Sequence, residues 1–330
     1  MTQASMTLSS APAAPATPGA AVASEPQYVE TVIRPRRGWI GVDWAELLSH
    51  RELLFFLIWR DVKVKYKQAV FGAAWAVVVP LVSVLIYAAF GYLVGFANQK
   101  VKGMDNVPYP VYVYAGLLPW LFLQSAINGG GMSLVNNQQL LSKIYMPRLF
   151  IPAANIGSAF MDMFSSSMIF AAMIAFYVVQ SKGAFTPSHN VVFLPFLIVL
   201  LVVAALGTAF LLSAITVMFR DLRFIIPFIT QLGIWLTAVV YPQTIFTRPA
   251  YGADGKPILD AMGHAVLAHD WRPWLALNPF AGIVQSFRWA ICGEPLQTTQ
   301  LLSSIGMSLL LLVLGIFYFK RVERRFADIA

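Results

Sequence analysis

Six long apolar stretches constrain this chain more than anything else in it. They cover approximately residues 70–97, 111–135, 149–180, 191–219, 224–246 and 301–319 of 330. Each is near or above the roughly 20 residues that an α-helix needs to cross a bilayer's hydrocarbon. In lipid every backbone N–H and C=O must find a partner within the protein, so runs of this length predict helices. The expected fold is an all-α integral membrane protein with six transmembrane helices. Composition agrees: 58% of residues are hydrophobic and 12% are charged, against about 25% charged in an ordinary soluble domain. That excludes a soluble enzyme, and an aromatic fraction of 14% excludes disorder. The single cysteine, Cys292, excludes an intramolecular disulfide and a cysteine-based metal cluster.

The scarce charges orient the chain. Sixteen of the 23 Lys and Arg fall on one side: Arg34 to Lys67, Lys143 and Arg148, Arg220 and Arg223, and Lys320 to Arg325. The other side carries Lys100, Lys102, Lys182, Arg248, Lys256, Arg272 and Arg288. The first side is therefore expected to be cytoplasmic, with both termini on it. The net charge of +8 then follows from topology, with membrane lipids and not nucleic acid as the partner.

Three regions follow along the chain. Residues 1–42 read as a flexible Ala/Pro/Ser/Thr tail with no signal-peptide pattern. Residues 43–68 read as one helix capped by Asp43. Trp44, Leu47, Leu48, Phe55, Ile58, Trp59, Val62 and Tyr66 share a side, and Arg51, Glu52, Arg60, Asp61 and Lys65 lie among its charges. It is too short and too basic to span, so it is expected to lie amphipathically in the cytoplasmic interface. Residues 69–330 form the membrane domain. Its last external connection begins with a polar stretch over 247–270, expected to be a solvated loop. An aromatic segment at 271–291 follows, broken by Pro279, which is expected to form a short helix dipping into the outer leaflet.

Recognisable catalytic chemistry is missing. The sequence has no G-x-x-x-x-G-K-[ST] phosphate loop, so it does not bind ATP in the usual way, and no H-E-x-x-H. His264 and His269, near Asp260 and Asp270, are expected to be loop residues and no metal site is assigned. Asp162 is the one acid well inside a span, among Ser158, Ser165, Ser166 and Ser167. It reads either as a proton relay or, preferably, as a hydrogen-bonded helix contact with the serines as interhelical partners. Gly91 and Gly95 form a small-xxx-small pair, expected to mark close helix packing.

Between the second and third spans, Asn136 can cap a short cytoplasmic helix. Leu140, Leu141 and Ile144 give it an apolar side, and Pro147 ends it. Such a helix, joined stiffly to two spans, can carry motion from a docked partner into the membrane. The candidate docking residues are Asn136, Leu140, Leu141, Lys143, Ile144, Tyr145, Pro147 and Arg148.

An ordered set of motifs carries a resemblance. Arg51-Glu-Leu-Leu precedes a basic helix ending Lys65-Tyr-Lys67, and Gly72-Ala-Ala-Trp75 leads to Pro80. Lys143-Ile-Tyr-Met-Pro147-Arg148, Phe219-Arg-Asp221, Leu277-Asn-Pro-Phe280 and Phe287-Arg288 follow. From about Leu47 to Arg325 the chain resembles the permease subunit of bacterial ABC exporters for polysaccharides such as O-antigen, capsule and teichoic acid. Much of 248–270 is longer than that family requires. The resemblance implies a homodimer of six-span subunits with two copies of a separate ATPase, which would hold ATP and magnesium while this chain binds no cofactor. It also implies short external gate helices before the last span, and an inner-membrane location.

A lipid-linked polysaccharide cannot cross hydrocarbon unaided, since each unpartnered hydroxyl costs roughly 2–7 kcal/mol. Aromatic side chains near the external ends of spans offer flat faces with polar tips. The candidate channel residues are Tyr87, Tyr92, Tyr112, Trp120, Tyr241, Trp271, Trp274 and Phe280, although an interfacial aromatic belt uses the same residue types. An exporter of drugs or lipids, a proton-coupled transporter using Asp162, and a membrane glycosyltransferase are the alternatives. The last lacks a convincing carboxylate pair.

Overall fold

A computed structural model describes residues 44–67, 74–98, 106–143, 146–250 and 267–323. The tail at 1–42, Asp43, Gly72, Ile144, Tyr145, Asp260, His264, Arg324 and Arg325 lie outside the described residues. The first elements are α1 (Trp44–Ser49), α2 (Arg51–Lys67) and α3 (Ala74–Val94). Then come α4 (Tyr109–Asn136), the short α5 (Gln138–Lys143), α6 (Phe150–Gln180), α7 (Leu194–Met218) and α8 (Leu222–Leu236). Two short antiparallel strands, β1 (Thr247–Pro249) and β2 (Leu267–Asp270), precede α9 (Arg272–Leu275), α10 (Pro279–Cys292) and α11 (Thr298–Glu323). Among the described residues, five helices are long and apolar enough to cross a membrane: α3, α4, α6, α7 and α11. The protein is thus an all-α, multi-pass membrane protein.

Polarity sorts these helices. Of the five, α4 has the lowest mean hydropathy and is the most buried. It carries Tyr, Gln, Asn and Gly residues that protein can satisfy and lipid cannot. It packs against α3, α6, α7, α8 and α10. Outer helices turn large apolar side chains outward, as α3 does with Leu85, Ile86 and Leu93. The α7–α11 crossing depends on small residues. A Cβ at Gly207 would strike the backbone of Leu311 and Leu312, and one at Gly315 would strike the Gly207 carbonyl. The paired glycines near the end of α3 do separate jobs. Gly91 lies against the Tyr109 ring, while Gly95 closes the helix with φ +86 and no side-chain neighbour.

The fifth apolar run departs from expectation. Its helix stops at Leu236, ten residues before the predicted end at Phe246. Ala238 has φ +52, and residues 237–242 are buried without being helical. Buried irregular backbone must have its polar groups satisfied, and here neighbouring side chains do so. Arg288 Nη1 donates to the carbonyls of Ala238 (2.8 Å) and Tyr241 (3.4 Å), and Nη2 donates to that of Val239. Tyr109 donates to the Val240 carbonyl at 2.7 Å, Asn278 Nδ2 to Leu236 at 3.3 Å, and the Tyr241 hydroxyl to Trp235. The Arg288 guanidinium also lies over the Tyr112 ring, 4.0 Å from its centroid. Grouping Arg288 with the external loop charges is therefore corrected: it is fully buried, 0% exposed, in a short packed helix.

That helix, α10, is buried along most of its length and packs on α4, α7 and α11. Asn278 caps it by accepting from the Phe280 amide at 3.0 Å, and Gly293, with φ +78, ends it. The stretch expected to be a wholly solvated loop instead contributes the two strands, with Arg248 opposite His269.

Candidate functional site

Three places on the molecule bear on function. The first is a groove of about 760 Å³ between α8 and the α4–α7 pair, with α9 at one end. Trp120, Trp271, Trp274 and Phe280, together with Phe246, supply its aromatic faces. Thr208, Thr230, Thr237 and Asn278 supply hydroxyls and an amide. The indole N–H of Trp120 is buried and donates to no described group. Flat apolar faces interleaved with a few donors and acceptors suit sugar rings, whose C–H faces stack and whose rims hydrogen-bond. Phe246 has no place among the residues singled out from sequence, because nothing local separates it from the apolar run it ends.

The other four aromatic candidates lie elsewhere. Tyr112 is packed beneath Arg288, and Tyr241 stacks on Trp235 with its hydroxyl bonded to that residue's carbonyl. Tyr92 is exposed beside Tyr109, and Tyr87 packs against the main core. At the same end of the molecule, Asp270 accepts from Arg272 Nε (2.8 Å) and Nη2 (2.6 Å). Those bonds hold the Asp270 carboxyl below its usual range and raise Arg272.

The second place is the connection between α4 and α6. Asn136 is the last residue of α4 and does not cap α5. That turn is made by Asn137, whose carbonyl accepts from the amides of Leu140 (3.0 Å) and Leu141 (3.1 Å). Leu140 and Leu141 pack inward against the cluster that includes Leu57, Met146 and Phe150. The outward face of α5 is therefore polar, with Gln138 and Lys143 exposed. Pro147 is buried, and Arg148 Nη1 donates to the Glu323 carbonyl at 2.6 Å, tying the connection to the end of α11.

The third place is α2, which breaks from α1 at His50 and packs on α6. One side, with Leu53, Leu54, Leu57 and Ile58, faces the protein. The other exposes Phe55, Phe56 and Trp59 beside Lys63, whose ammonium sits 6.0 Å from the Trp59 centroid. Arg51 and Glu52 are exposed. Arg60 is held by Asp61 (2.7 Å) and by the Asn137 side chain (3.1 Å). Asp162 is not partnered by the nearby serines. Ser165, Ser166 and Ser167 bond carbonyls one turn back on their own helix. Lys65 and Tyr66 of α2 donate to the Asp162 carboxylate instead. Burial first, and that bond second, push the Tyr66 hydroxyl above its ordinary pKa. α6 has 31 residues, about 46 Å, which exceeds the roughly 30 Å of hydrocarbon. Asp162 stands thirteen residues along it, in its first half.

Fold and site together define a multi-pass membrane protein with a short buried helix before its last long one and an aromatic groove. Among curated proteins the chain is similar to an O-antigen export system permease protein RfbA of Myxococcus xanthus. The two are 24% identical over 285 residues, covering 84% of this chain and 96% of that relative. Two proteins of the same name from Klebsiella pneumoniae are each 23% identical over 279 residues, covering 84% of this chain and 95% of each relative. No family model matches the chain. The resemblance carried by the ordered motifs is the one that these comparisons find.

Proposed function

We propose that this chain is the membrane subunit of an ABC exporter that carries a lipid-linked polysaccharide of the O-antigen type across the bacterial inner membrane. A homodimer of the chain would bind two copies of a separate ATPase, which holds ATP and magnesium. The observation that carries this reading is similarity to permeases of O-antigen export over 84% of the chain and nearly all of each relative. The Lys and Arg distribution supports a reading with both termini in the cytoplasm. On this reading α8, with 15 residues, spans about 22 Å. The irregular backbone after it completes a sixth crossing.

The geometry supports a division of labour. The groove beside α8 offers sugar rings stacking faces and hydrogen-bond partners, so hydroxyls leave water without the full desolvation cost. The polar outer face of α5 is the docking surface for the ATPase, and its tie to the ends of α4, α6 and α11 carries the stroke inward. The exposed aromatic and basic side of α2 lies in the cytoplasmic interface. Deleting the chain in its host should remove surface polysaccharide and leave precursor inside the cell. Unchanged surface polymer with no internal precursor would overturn the reading, and loss of drug resistance instead would assign a different cargo. Docking has its own measurement. Gln138→Glu together with Lys143→Glu should abolish co-purification of the ATPase while leaving the permease monodisperse, and undiminished co-purification refutes this surface.

A further inference from the structure

Two cavities of opposite character meet between α2, α4 and α6, the second also walled by α3, away from the groove beside α8. One, of about 610 Å³, is lined by Arg60, Asp61, Lys65, Asn128, Asn155 and other polar groups. The second, of about 240 Å³, is lined mainly by apolar residues including Pro80, Leu118, Leu121, Phe122 and Met163, with Asp162 at its edge. Lys65 and Ser125 line both, so the two adjoin at these side chains. Along α4 the lining passes from Asn128 through Ser125 to Leu121 and Leu118. Along α6 it passes from Asn155 and Ser158 past Asp162 to Met163. Ten residues of helix separate Asn128 from Leu118, about 15 Å. The polar end lies where α4 finishes and α6 begins, and the apolar end points toward the middle of the bundle. A lipid in one leaflet has this gradient, with its head at the boundary and its tail inward.

The polar half is specific in its chemistry. Arg60 spends Nε and Nη2 on Asp61 and Asn137, and its Nη1 donates to no described group. Lys65 spends one of three N–H donors on Asp162, and half of its side chain is exposed. Each cation is paired with a carboxylate, so the site is neutral overall while keeping free donors. A small free anion gains little from such a site. A phosphate ester carried by a membrane anchor gains more, because its attached sugar can use the amides of Asn128 and Asn155 and the carboxylates as partners.

We propose that this two-part cavity binds the junction of a membrane-anchored glycan. The sugar-phosphate head sits among Arg60, Lys65, Asn128 and Asn155, and the first carbons of the anchor lie against Leu118, Phe122 and Met163. This assignment rests on the transport reading and adds where the substrate is held before it moves.

The test uses the full permease–ATPase complex in phosphatidylethanolamine nanodiscs. The probe is a polyprenyl diphosphate carrying one N-acetylglucosamine. The same sugar diphosphate without the chain should bind at least about 100-fold more weakly. Ser125→Trp, which plugs the neck, and Asn128→Leu, which removes an amide, should each lower probe affinity about tenfold or more. Affinity unchanged by both variants overturns the site, as does displacement of the probe by phosphatidylglycerol at equal concentration, which would show a bulk-lipid site. A photoreactive group beside the diphosphate gives a result independent of any variant. Crosslinks to α4 peptides near Ser125 and α6 peptides near Asp162 support the site, and crosslinks confined to α8 and α9 overturn it. If deletion removes surface polymer while binding ignores Ser125, the site fails and the transport reading stands. If polymer survives deletion, the transport reading fails and the crosslinks still decide the site.

Discussion

Arg288 spends a buried charge on backbone carbonyls. Its guanidinium spans the acceptors of Ala238, Val239 and Tyr241 and stacks on Tyr112. Only a planar fork of donors has that reach. Arg288→Met leaves three buried carbonyls unpartnered, at about 1–3 kcal/mol each. A stability loss on the order of 3 kcal/mol or more is expected. Lys, a point charge on a flexible stem, should fall between. Thermal unfolding in detergent followed by tryptophan fluorescence reads this directly, and Arg288→Met melting with wild type would refute the clamp. Nearby, Glu294 sits in the connection between α10 and α11. Burial raises its carboxyl above the ordinary range, against the opposing pull of Arg288 and a bond from Gln285. The folded state therefore keeps this proton to higher pH than the unfolded chain does. Between the unfolded pKa near 4.3 and the raised folded value, stability rises as pH falls. Glu294→Gln should remove that slope and match or exceed wild-type stability at pH 7. A wild-type melting temperature that falls on acidification through this window relative to the variant would contradict the assignment.

Elements show what was legible in the sequence and what was not. Hydropathy located the long helices because lipid leaves a backbone few alternatives, and α6 begins one residue from its expected start at Leu149. The same measure missed the end of α8, because Thr237 to Phe246 is apolar whether helical or not. The break depends on Arg288 and Tyr109, which are remote in sequence and of which only the first belongs to a recognisable motif. The partner of Asp162 was hidden for a similar reason: Lys65 is read locally as one charge of a basic helix end, and only packing of α2 on α6 brings it there. In the candidate site, Trp120, Trp271, Trp274 and Phe280 were legible as aromatics near span ends. Which aromatics share a groove depends on helix rotation, and in α4 a one-residue turn is 100°. The α7–α11 crossing is sharper still, because Gly207 and Gly315 leave backbone against backbone. Gly207→Val has no space to relax into, and overpacking costs about 1–3 kcal/mol or more. The variant should lower the melting temperature and the folded yield. Gly306→Ala on the same helix α11, where a Cβ meets nothing within 4 Å, should not. Equal behaviour of the two would dismiss the close crossing.

At the scale of the whole molecule, orientation is a statement about charge that the fold makes measurable. The connection between α4 and α6, which includes α5, carries Lys143 and Arg148, and the junction of α7 with the first turn of α8 carries Arg220 and Arg223. The turn between α6 and α7 lies at the other end and carries Lys182 alone, at φ 51. Lys and Arg flanking spans are retained on the cytoplasmic side, so the proposed orientation has the first two connections inside and the third outside. Cys292 is buried, so the native thiol should be silent toward a membrane-impermeant maleimide. Burial also raises a thiol's pKa and removes the reactive thiolate. Single cysteines then report topology without first removing the native one. Lys182→Cys should label in intact cells. Gln138→Cys and Arg220→Cys should label only after permeabilisation. Labelling of Arg220→Cys from outside, with Lys182→Cys protected, inverts the molecule. It would put α5 out of reach of any cytoplasmic ATPase, so one labelling pattern decides whether the docking surface and the exporter reading can stand together.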